Sequence, residues 1–154
     1  MKENLEIFID GACRGNPGEA SIGIVIKHNA QTIKEVAKPI GKATNNIAEY
    51  QALIEALHEA RGLKAQRLKF YTDSELVYKQ VTGVYQVKNS NLKLLHDQVR
   101  DLIGLFQDVQ IMNVPREQNR EADRLASAIL KDKQAKVVAP LFKTNGEESP
   151  SSKG

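Results

Sequence analysis

The chain has 154 residues, of which 41% are hydrophobic and 27% charged, a composition typical of one globular domain rather than of a disordered or fibrous protein. Its apolar runs are far shorter than the roughly 18 residues that cross a bilayer, and charged residues interrupt the N-terminal segment, so we expect neither a membrane span nor a secretory signal. A single cysteine and three scattered histidines exclude an internal disulfide and a zinc-type cluster. We expect a cytoplasmic protein whose net charge of +3 allows a polyanionic partner without requiring one.

The first third of the chain has the pattern of three strands. Residues 5–12 alternate apolar and polar side chains and end at the glycine- and proline-rich segment 11–18, which is typical of a strand followed by a turn. Residues 20–27 and 31–37 are two further strands, and the three residues between them, 28–30, predict a hairpin. The chain is therefore expected to begin with an antiparallel meander.

The rest of the chain alternates helices with strands. Apolar residues recur at three- and four-residue steps in the helical segments, whereas the strand segments are short and rich in β-branched or aromatic residues. In chain order we expect helix 44–61, strand 67–72, helices 74–82 and 92–106, strand 109–114, and a last helix with Asn119 as its N-cap. Because parallel strands need crossover connections, this order predicts an α/β fold with a mixed sheet and helices on its faces.

One domain, residues 1–136, accounts for all of these elements. Residues 137–154 follow it, and from residue 144 they are rich in Gly, Ser, Pro and Glu. Such a composition buries too little apolar surface to order itself. We therefore expect residues 137–154 to form a flexible C-terminal tail.

Four carboxylates stand where the expected fold could bring them together. Asp10 ends the first strand and Asp73 follows strand 67–72, and functional groups of open α/β sheets collect at the carboxyl ends of strands. Glu49 and Asp123 lie in helices beside apolar stripes. A cluster of such groups repels itself unless protons or divalent cations neutralise it, and an all-oxygen ligand set favours Mg²⁺ or Mn²⁺.

Each carboxylate also has an ordinary structural interpretation. Asp10 could cap a turn before its glycine, and Asp73 could cap the helix that starts at Ser74. Glu49 could be a solvated helix glutamate, and Asp123 could interact with the dipole at a helix N-terminus. The surrounding motifs favour the metal-binding interpretation for all four.

Four sequence segments carry a resemblance to a known family. They are IFIDGACRGNPG (7–18), TNNIAEYQAL (44–53), FYTDSELV (70–77) and VPREQNREADRLA (114–126). In this order and spacing they resemble type 1 ribonuclease H, a member of the ribonuclease H-like superfamily. The resemblance extends from about residue 5 to residue 134.

The resemblance implies a three-layer fold, with a five-stranded mixed sheet between helices, and an endonuclease that hydrolyses the RNA strand of RNA/DNA hybrids. Asp10, Glu49, Asp73 and Asp123 match the catalytic carboxylates of the family. These carboxylates hold two Mg²⁺ ions, with Mn²⁺ as a possible substitute, and the products carry 5′ phosphate and 3′ hydroxyl ends.

The resemblance also points to seven substrate-binding positions. It places Cys13 and Asn16 near the RNA strand, and Asn45 and Asn46 in contact with the minor groove. It places Lys42, Thr44 and Asn89 around a phosphate of the DNA strand. Two of these assignments have equal or stronger structural alternatives. The asparagine pair could cap the first helix, and Lys42 could be an ordinary surface lysine.

Two departures from the family pattern affect substrate binding and product release. Many relatives carry a basic, tryptophan-containing insertion where this chain has the short segment 83–90 and no tryptophan, which predicts weaker hybrid binding and steeper salt dependence. Many also carry a histidine that helps the product to leave, but the loop 113–119 has none. Arg116 or Glu117 could take over that task, or the loop could simply be charged.

We therefore expect a monomeric, magnesium-dependent endoribonuclease that acts on RNA/DNA hybrids and possibly on double-stranded RNA. One alternative is a noncatalytic protein that binds hybrid or double-stranded RNA. The other is a nuclease of the same fold with relaxed substrate choice, acting on double-stranded RNA or DNA junctions. The presence of all four carboxylates argues against the noncatalytic alternative.

Overall fold

The computed structural model describes residues 3–138, with side chains as far as residue 131. Five strands and four α-helices follow one another, with a 3₁₀ turn before the last helix. The elements are β1 (Asn4–Gly15), β2 (Gly18–His28), β3 (Gln31–Ala43), α1 (Asn45–Gly62), β4 (Arg67–Thr72), α2 (Glu75–Val81), α3 (Ser90–Ile103), β5 (Asp108–Asn113), the 3₁₀ turn Arg116–Asn119 and α4 (Arg120–Val138).

The strands form one mixed sheet in the order β3-β2-β1-β4-β5. β1 is central and pairs antiparallel with β2 and parallel with β4, while β5 extends the parallel half. The α/β class and the five-stranded mixed sheet are thus confirmed. Because β1 and β4 run in the same direction, their carboxyl ends meet at one edge of the sheet.

One face of the sheet, which we call the α1 face, carries the main hydrophobic core. Alternate residues of β1 and β2, such as Ile7, Ile9 and Ile24, are fully buried on this face and join one cluster with Tyr50 and Leu53 of α1. Every second residue of the strands and every third or fourth residue of the helix contribute to this core. Helix α3 packs on α1 and adds Leu92 and Val99 to the same cluster.

The opposite face, the α4 face, makes a closer and less apolar contact. Gly23 of β2 lies directly under α4, and the Ser21 hydroxyl donates to the Ala126 carbonyl. Where α4 does not reach, the rings of Phe8 and Tyr71 stack with centroids 4.5 Å apart. Lys27 and Lys69 lie over these two rings and shield them from solvent.

The first hairpins are longer than the sequence patterns predict. β1 continues to Gly15 rather than ending at residue 12, and β3 continues to Ala43 rather than ending at residue 37. Both extensions pair with β2, as far as Gly15 opposite Gly18 and Gly18 opposite Ala43. Sheet pairing therefore overrides the breaking tendency of the glycines and prolines in these segments.

β3 forms one edge of the sheet. It contains Pro39, and its pairing with β2 shifts register in two places. Two of its lysines form ion pairs with α1, Lys34 with Glu59 and Lys38 with Glu55. The two ion pairs hold this edge strand against α1.

The caps of the helices differ partly from expectation. The prediction that Asn119 caps the last helix is wrong: Asn119 ends the 3₁₀ turn, and its side chain donates to the Ile9 carbonyl instead. α1 is capped by Thr44 and α2 by Ser74. Asn89 caps α3, which therefore starts two residues before the predicted residue 92.

Among residues 3–138 there is no helix with the length and apolar character of a membrane span. The predicted tail begins at residue 137, but residues 137 and 138 still belong to α4. The remainder of the predicted tail, residues 139–154, lies outside the described residues.

Candidate metal centre and active site

Carboxylates from three elements converge just beyond the point where the parallel pairing of β1 with β4 ends. Asp10, Glu49 and Asp73 each offer an oxygen atom, and these atoms all lie within 4.8 Å of one another. Asp10 is only 5% exposed, whereas Glu49 and Asp73 are partly exposed. The expectation that Asp10 ends its strand is wrong, because β1 pairs with β2 as far as Gly15. Asp10 nevertheless lies two residues beyond Phe8, the last residue of β1 that pairs with β4, and it meets Asp73 as expected.

Glu49 is held in this cluster by the close approach of β1 and α1. A Cβ atom on Gly11 would lie 2.5 Å from the Ala48 backbone carbon, so only glycine allows this separation. The amide of Gly11 donates to Glu49 Oε1 at 3.1 Å. Glycine after Asp10 thus serves to admit the helix and to orient its glutamate.

Asp123 is brought to the cluster by a similar approach on the α4 face. Gly23 lies opposite Asp10 in the β1–β2 register, and a Cβ atom on it would lie 2.2 Å from the Ala122 carbonyl oxygen. Helix α4 therefore passes close beside Asp10. Asp123 contributes to the raised pKa of Asp10, and all four predicted carboxylates line one cleft.

Asp73 faces the cluster because a neighbour takes over the capping role. The Ser74 hydroxyl accepts from the Val77 amide at 3.2 Å and so caps α2. The Ser74 amide in turn donates to the Thr72 hydroxyl, which fixes the turn around Asp73. The alternative interpretation of Asp73 as the helix cap is wrong.

The carboxylates of the cluster outnumber the positive charges beside them, of which Arg116 lies 3.8 Å from Asp123. Burial, followed by the charges of Glu49 and Asp73, raises the pKa of Asp10 to about 9. Burial, followed by the charge of Asp73, raises the pKa of Glu49 to about 8. The pKa of Asp73 is also raised by burial, although Arg116 opposes the rise. At neutral pH the cluster must therefore hold protons or cations.

The donor set fits divalent cations. Three carboxylates offer oxygen atoms within 4.8 Å of one another, and hard ions such as Mg²⁺ and Mn²⁺ prefer oxygen ligands. The charges of Glu49, Asp73 and Asp123 raise the pKa of Asp10, because these groups repel each other when ionised. A bound cation would offset that repulsion.

The cluster opens into a cleft of about 1020 Å³. Basic and polar side chains from β1, α1 and α4, and from the segment after β5, surround the carboxylates. Besides the four carboxylates, the lining residues include Cys13, Arg14, Asn45, Asn113, Arg116, Ser127 and Lys131. This size and polarity suit a segment of a large polar substrate rather than a small apolar ligand.

The predicted substrate-binding residues occupy different places around this cleft. Cys13 and Asn45 line it. Asn16 accepts a hydrogen bond from the Asn45 amide, and Thr44 caps α1, so these two residues also shape the cleft wall. Lys42, Asn46 and Asn89 are exposed and lie outside the lining. The alternative interpretation of the asparagine pair as the cap of α1 is wrong, because Thr44 has that role.

The two product-release candidates differ in position. Arg116 Nη2 lies 3.8 Å from Asp123 Oδ1, and the Arg116 side chain is 78% exposed. Arg116 lines the cleft, and its charge opposes the rise in the pKa of Asp73. The exposed Glu117 does not line the cleft.

Several cleft residues were missed in the sequence analysis. Ser127 and Lys131 follow Asp123 by four and eight residues on α4 and share its face, so helical spacing could have identified them. Arg14 donates to the Leu130 carbonyl, a contact between distant parts of the chain that no local pattern indicates. The hydrogen bonds made by Asn113 and Asn119 were also missed for that reason.

Comparisons with known proteins agree with this architecture. A family model described as reverse transcriptase-like matches residues 8–129. The "Ribonuclease HI" of Halobacterium salinarum is 40% identical over 129 residues, which are 83% of this chain and 65% of that protein. The chain spans between 42% and 65% of the length of the first curated relatives that it matches.

Solved structures agree as well. The crystal structure of RNase H1 from the same archaeon has a TM-score of 0.82 and 39% identity, covering 84% of this chain and 98% of that one. LC11-RNase H1, solved in complex with an RNA/DNA hybrid, has a TM-score of 0.81 and 34% identity, covering 84% and 99%. The chain therefore belongs to the reverse transcriptase-like family and, within it, to the type 1 ribonucleases H.

Proposed function

We propose that this protein is an endonuclease that hydrolyses the RNA strand of RNA/DNA hybrids by two-metal-ion catalysis. The observation that supports it most is the convergence of Asp10, Glu49 and Asp73 within 4.8 Å in an open, polar cleft. A relative with 34% identity, LC11-RNase H1, was solved with such a hybrid. The products would carry 5′ phosphate and 3′ hydroxyl ends.

The catalytic residues in this proposal are Asp10, Glu49, Asp73 and Asp123. When bound, two Mg²⁺ ions would activate a water and neutralise charge on the scissile phosphate and the leaving oxygen. Asp10, the most buried of the four, would hold the ions together with Asp73 and Asp123. Glu49, oriented by the Gly11 amide, would complete the ligand set. Mn²⁺ could replace Mg²⁺ on the same oxygens.

Hybrid binding would rely on the basic charge that remains outside the cluster. Without the four site carboxylates the formal charge of +3 becomes +7, which favours a polyanion. Cys13 and Asn45 line the cleft. The side-chain carboxamide of Asn45 could contact a 2′-hydroxyl there as donor or acceptor. Asn16, Lys42, Thr44, Asn46 and Asn89 are proposed to contact the duplex farther from the scissile bond.

Arg116, rather than Glu117, is the better candidate for assisting product release. It is the member of the pair that lines the cleft, 3.8 Å from Asp123. A guanidinium there can bind the new 5′ phosphate and draw it away from the cations. We further propose that the protein acts as a cytoplasmic monomer with one catalytic domain, residues 1–136.

The direct test is cleavage of labelled substrates by the purified full chain. RNA/DNA hybrid, double-stranded RNA and double-stranded DNA of one sequence would each be incubated with EDTA, Mg²⁺ or Mn²⁺. We expect cutting of the hybrid RNA strand with Mg²⁺ and none with EDTA. Extension of the products by a DNA polymerase would show 3′ hydroxyls, and digestion by a 5′-phosphate-dependent exonuclease would show 5′ phosphates.

The matched control is Asp73→Asn prepared in the same way, because it keeps the shape of the side chain and removes its charge. Undiminished cutting by this variant would refute the catalytic assignment or reveal a contaminating nuclease. Binding of hybrid without any cutting would support the noncatalytic alternative. Equal cutting of hybrid and double-stranded RNA would support the relaxed nuclease instead.

A further inference from the structure

We propose that Asn119 and Asn113 are positioning residues, each of which clamps the peptide that precedes an aspartate of the metal centre. The inference deepens the proposed function and rests on it. Asn119 would fix Asp10 relative to α4, and Asn113 would fix Asp73 relative to the segment that carries Arg116. Asn119 is buried and would touch neither substrate nor cation. Asn113 lines the cleft, and its positioning role would act through its hydrogen bond to the Thr72 carbonyl.

The Asn119 clamp is fully buried. Asn119 is 1% exposed, and its Nδ2 donates to the Ile9 carbonyl at 2.8 Å. Ile9 precedes Asp10 in β1, while Asn119 precedes α4, whose Asp123 lines the same cleft as Asp10. One side-chain hydrogen bond therefore ties together the two backbone segments that carry Asp10 and Asp123.

The Asn113 clamp makes the corresponding contact between β5 and β4. Its Nδ2 donates to the Thr72 carbonyl at 3.1 Å, and Thr72 precedes Asp73. The same carbonyl also accepts from the Val114 amide at 2.9 Å. Asn113 ends β5, and the chain then leads directly into the Arg116 segment.

Stability alone does not account for the Asn119 clamp. Its Oδ1 is buried without a hydrogen-bond partner, a condition shared among the described side chains only with Nδ1 of His96. A buried acceptor left unpaired is costly, and Asn119 also gives up the capping role that suits an asparagine before a helix. Such local costs are typical of sites where position matters more than stability.

A neutral carboxamide suits this position for an electrostatic reason. A lysine or arginine here would pair with the carboxylates and compete with the cations, and an acid would add repulsion. The carboxamide donates a hydrogen bond without changing the charge of the site. It can therefore set the spacing of the carboxylates and leave their charge for the cations.

The test compares the Mg²⁺ affinity of three variants, measured by calorimetry on the metal-free full chain without substrate. Asn119→Leu keeps the approximate shape and removes the donor, and we expect Mg²⁺ affinity to fall about 10- to 100-fold. For Asn113→Ala we expect a loss of about tenfold or less, because the Val114 amide still holds the Thr72 carbonyl. On hybrid, both variants should lose kcat and keep KM.

The control is Gln80→Leu. Gln80 is 6% exposed and accepts a hydrogen bond from the Tyr50 hydroxyl at 2.6 Å, so this variant also loses a buried carboxamide bond but lies outside the cleft lining. It should lower the midpoint of urea unfolding and leave Mg²⁺ affinity unchanged. Circular dichroism would verify that every variant is folded at the temperature of the titration.

Each outcome decides the inference. If Asn119→Leu binds Mg²⁺ as the wild type does, or if Gln80→Leu loses as much affinity, the clamp is merely structural and the inference is overturned. If the wild type does not bind Mg²⁺, it is overturned as well. If the wild type binds Mg²⁺ and Asn119→Leu does so weakly, but hybrid is not cut, the inference stands and only the proposed function fails.

Discussion

The two faces of the sheet are built in different ways, and the difference separates stability from chemistry. On the α1 face, many fully buried aliphatic side chains share one core, and one close contact, at Gly11, positions Glu49. On the α4 face, glycine, serine and alanine bring backbone atoms close together, and Asp10 lies at the end of that contact. We infer that the first face mainly supplies folding free energy and the second mainly sets geometry.

The largest effect is expected from Asp10→Asn, on the α4 face. If Asp10 holds the cations, loss of its charge removes several kcal/mol of transition-state stabilisation, which corresponds to about a 10³-fold or greater loss of kcat on hybrid. The metal-free variant should nevertheless be at least as stable as the wild type, because a self-repelling group is gone. Steady-state cleavage and thermal unfolding in EDTA would measure both effects. A variant that unfolds more easily would contradict the view that these carboxylates oppose folding.

Leu53→Ala tests the α1 face. Leu53 is 1% exposed in the main core, and the cavity it leaves should lower the free energy of unfolding by about 2–5 kcal/mol. The kcat of the fraction that remains folded should change little, because the site lies at the strand ends. Urea unfolding together with single-turnover cleavage at low temperature would show this separation. A large loss of kcat in folded protein would mean that the core also sets the carboxylate geometry.

Gly23→Ala tests the α4 face by adding a methyl group to a close contact, whereas Leu53→Ala removes atoms from a core. Its added methyl group would lie 2.2 Å from the Ala122 carbonyl oxygen, so α4 must shift and carry Asp123 with it. We expect kcat to fall by about 100-fold and the free energy of unfolding by about 1–3 kcal/mol. Gly62→Ala is the matched control, since no atom lies within 4 Å of its added methyl group. Equal activity of the two variants would refute the close-contact argument.

The last test concerns the pH dependence of stability without metal. The folded-state pKa values of Asp10 and Glu49, about 9 and about 8, lie above those of the unfolded chain. The folded state therefore binds more protons, and this contribution to stability is lost as pH rises from about 4 to about 9. Thermal unfolding in EDTA between pH 5 and pH 10 should show the decline, and Mg²⁺ should reverse it most at high pH. A flat profile for the wild type, or the same slope in Asp10→Asn, would contradict the assignment.

Much of the fold and the carboxylate set could be predicted from the sequence because local patterns carry them. The alternation around Ile7 and Ile9 indicates a strand, and the alanine-rich steps of α1 indicate a helix. Asp10 and Asp73 each follow an apolar run, and the strand-end rule brings them together, although β1 continues beyond Asp10 to Gly15. Glu49 and Asp123 were identified through the family resemblance, since helix position alone leaves them ambiguous.

What could not be predicted depends on contacts between distant segments. Gly41 and Pro39 indicate the end of a strand, yet pairing with β2 carries β3 through both. Asn119 has the local character of an N-cap, but the Ile9 carbonyl is a partner 110 residues away in sequence. Ser74 and Asp73 are both plausible caps, and only the packed structure distinguishes the one that caps α2 from the one that faces the cleft.

The outer edge formed by β3 has a consequence for how copies of this protein meet. An exposed strand presents unpaired amides and carbonyls that can recruit the strand of another molecule. Pro39 removes one of those amides, the two shifts in register break the regular spacing, and Lys34 and Lys38 place charges along the strand. The edge is thus a poor template for intermolecular β-sheet growth, which protects the folded chain from aggregation at high concentration.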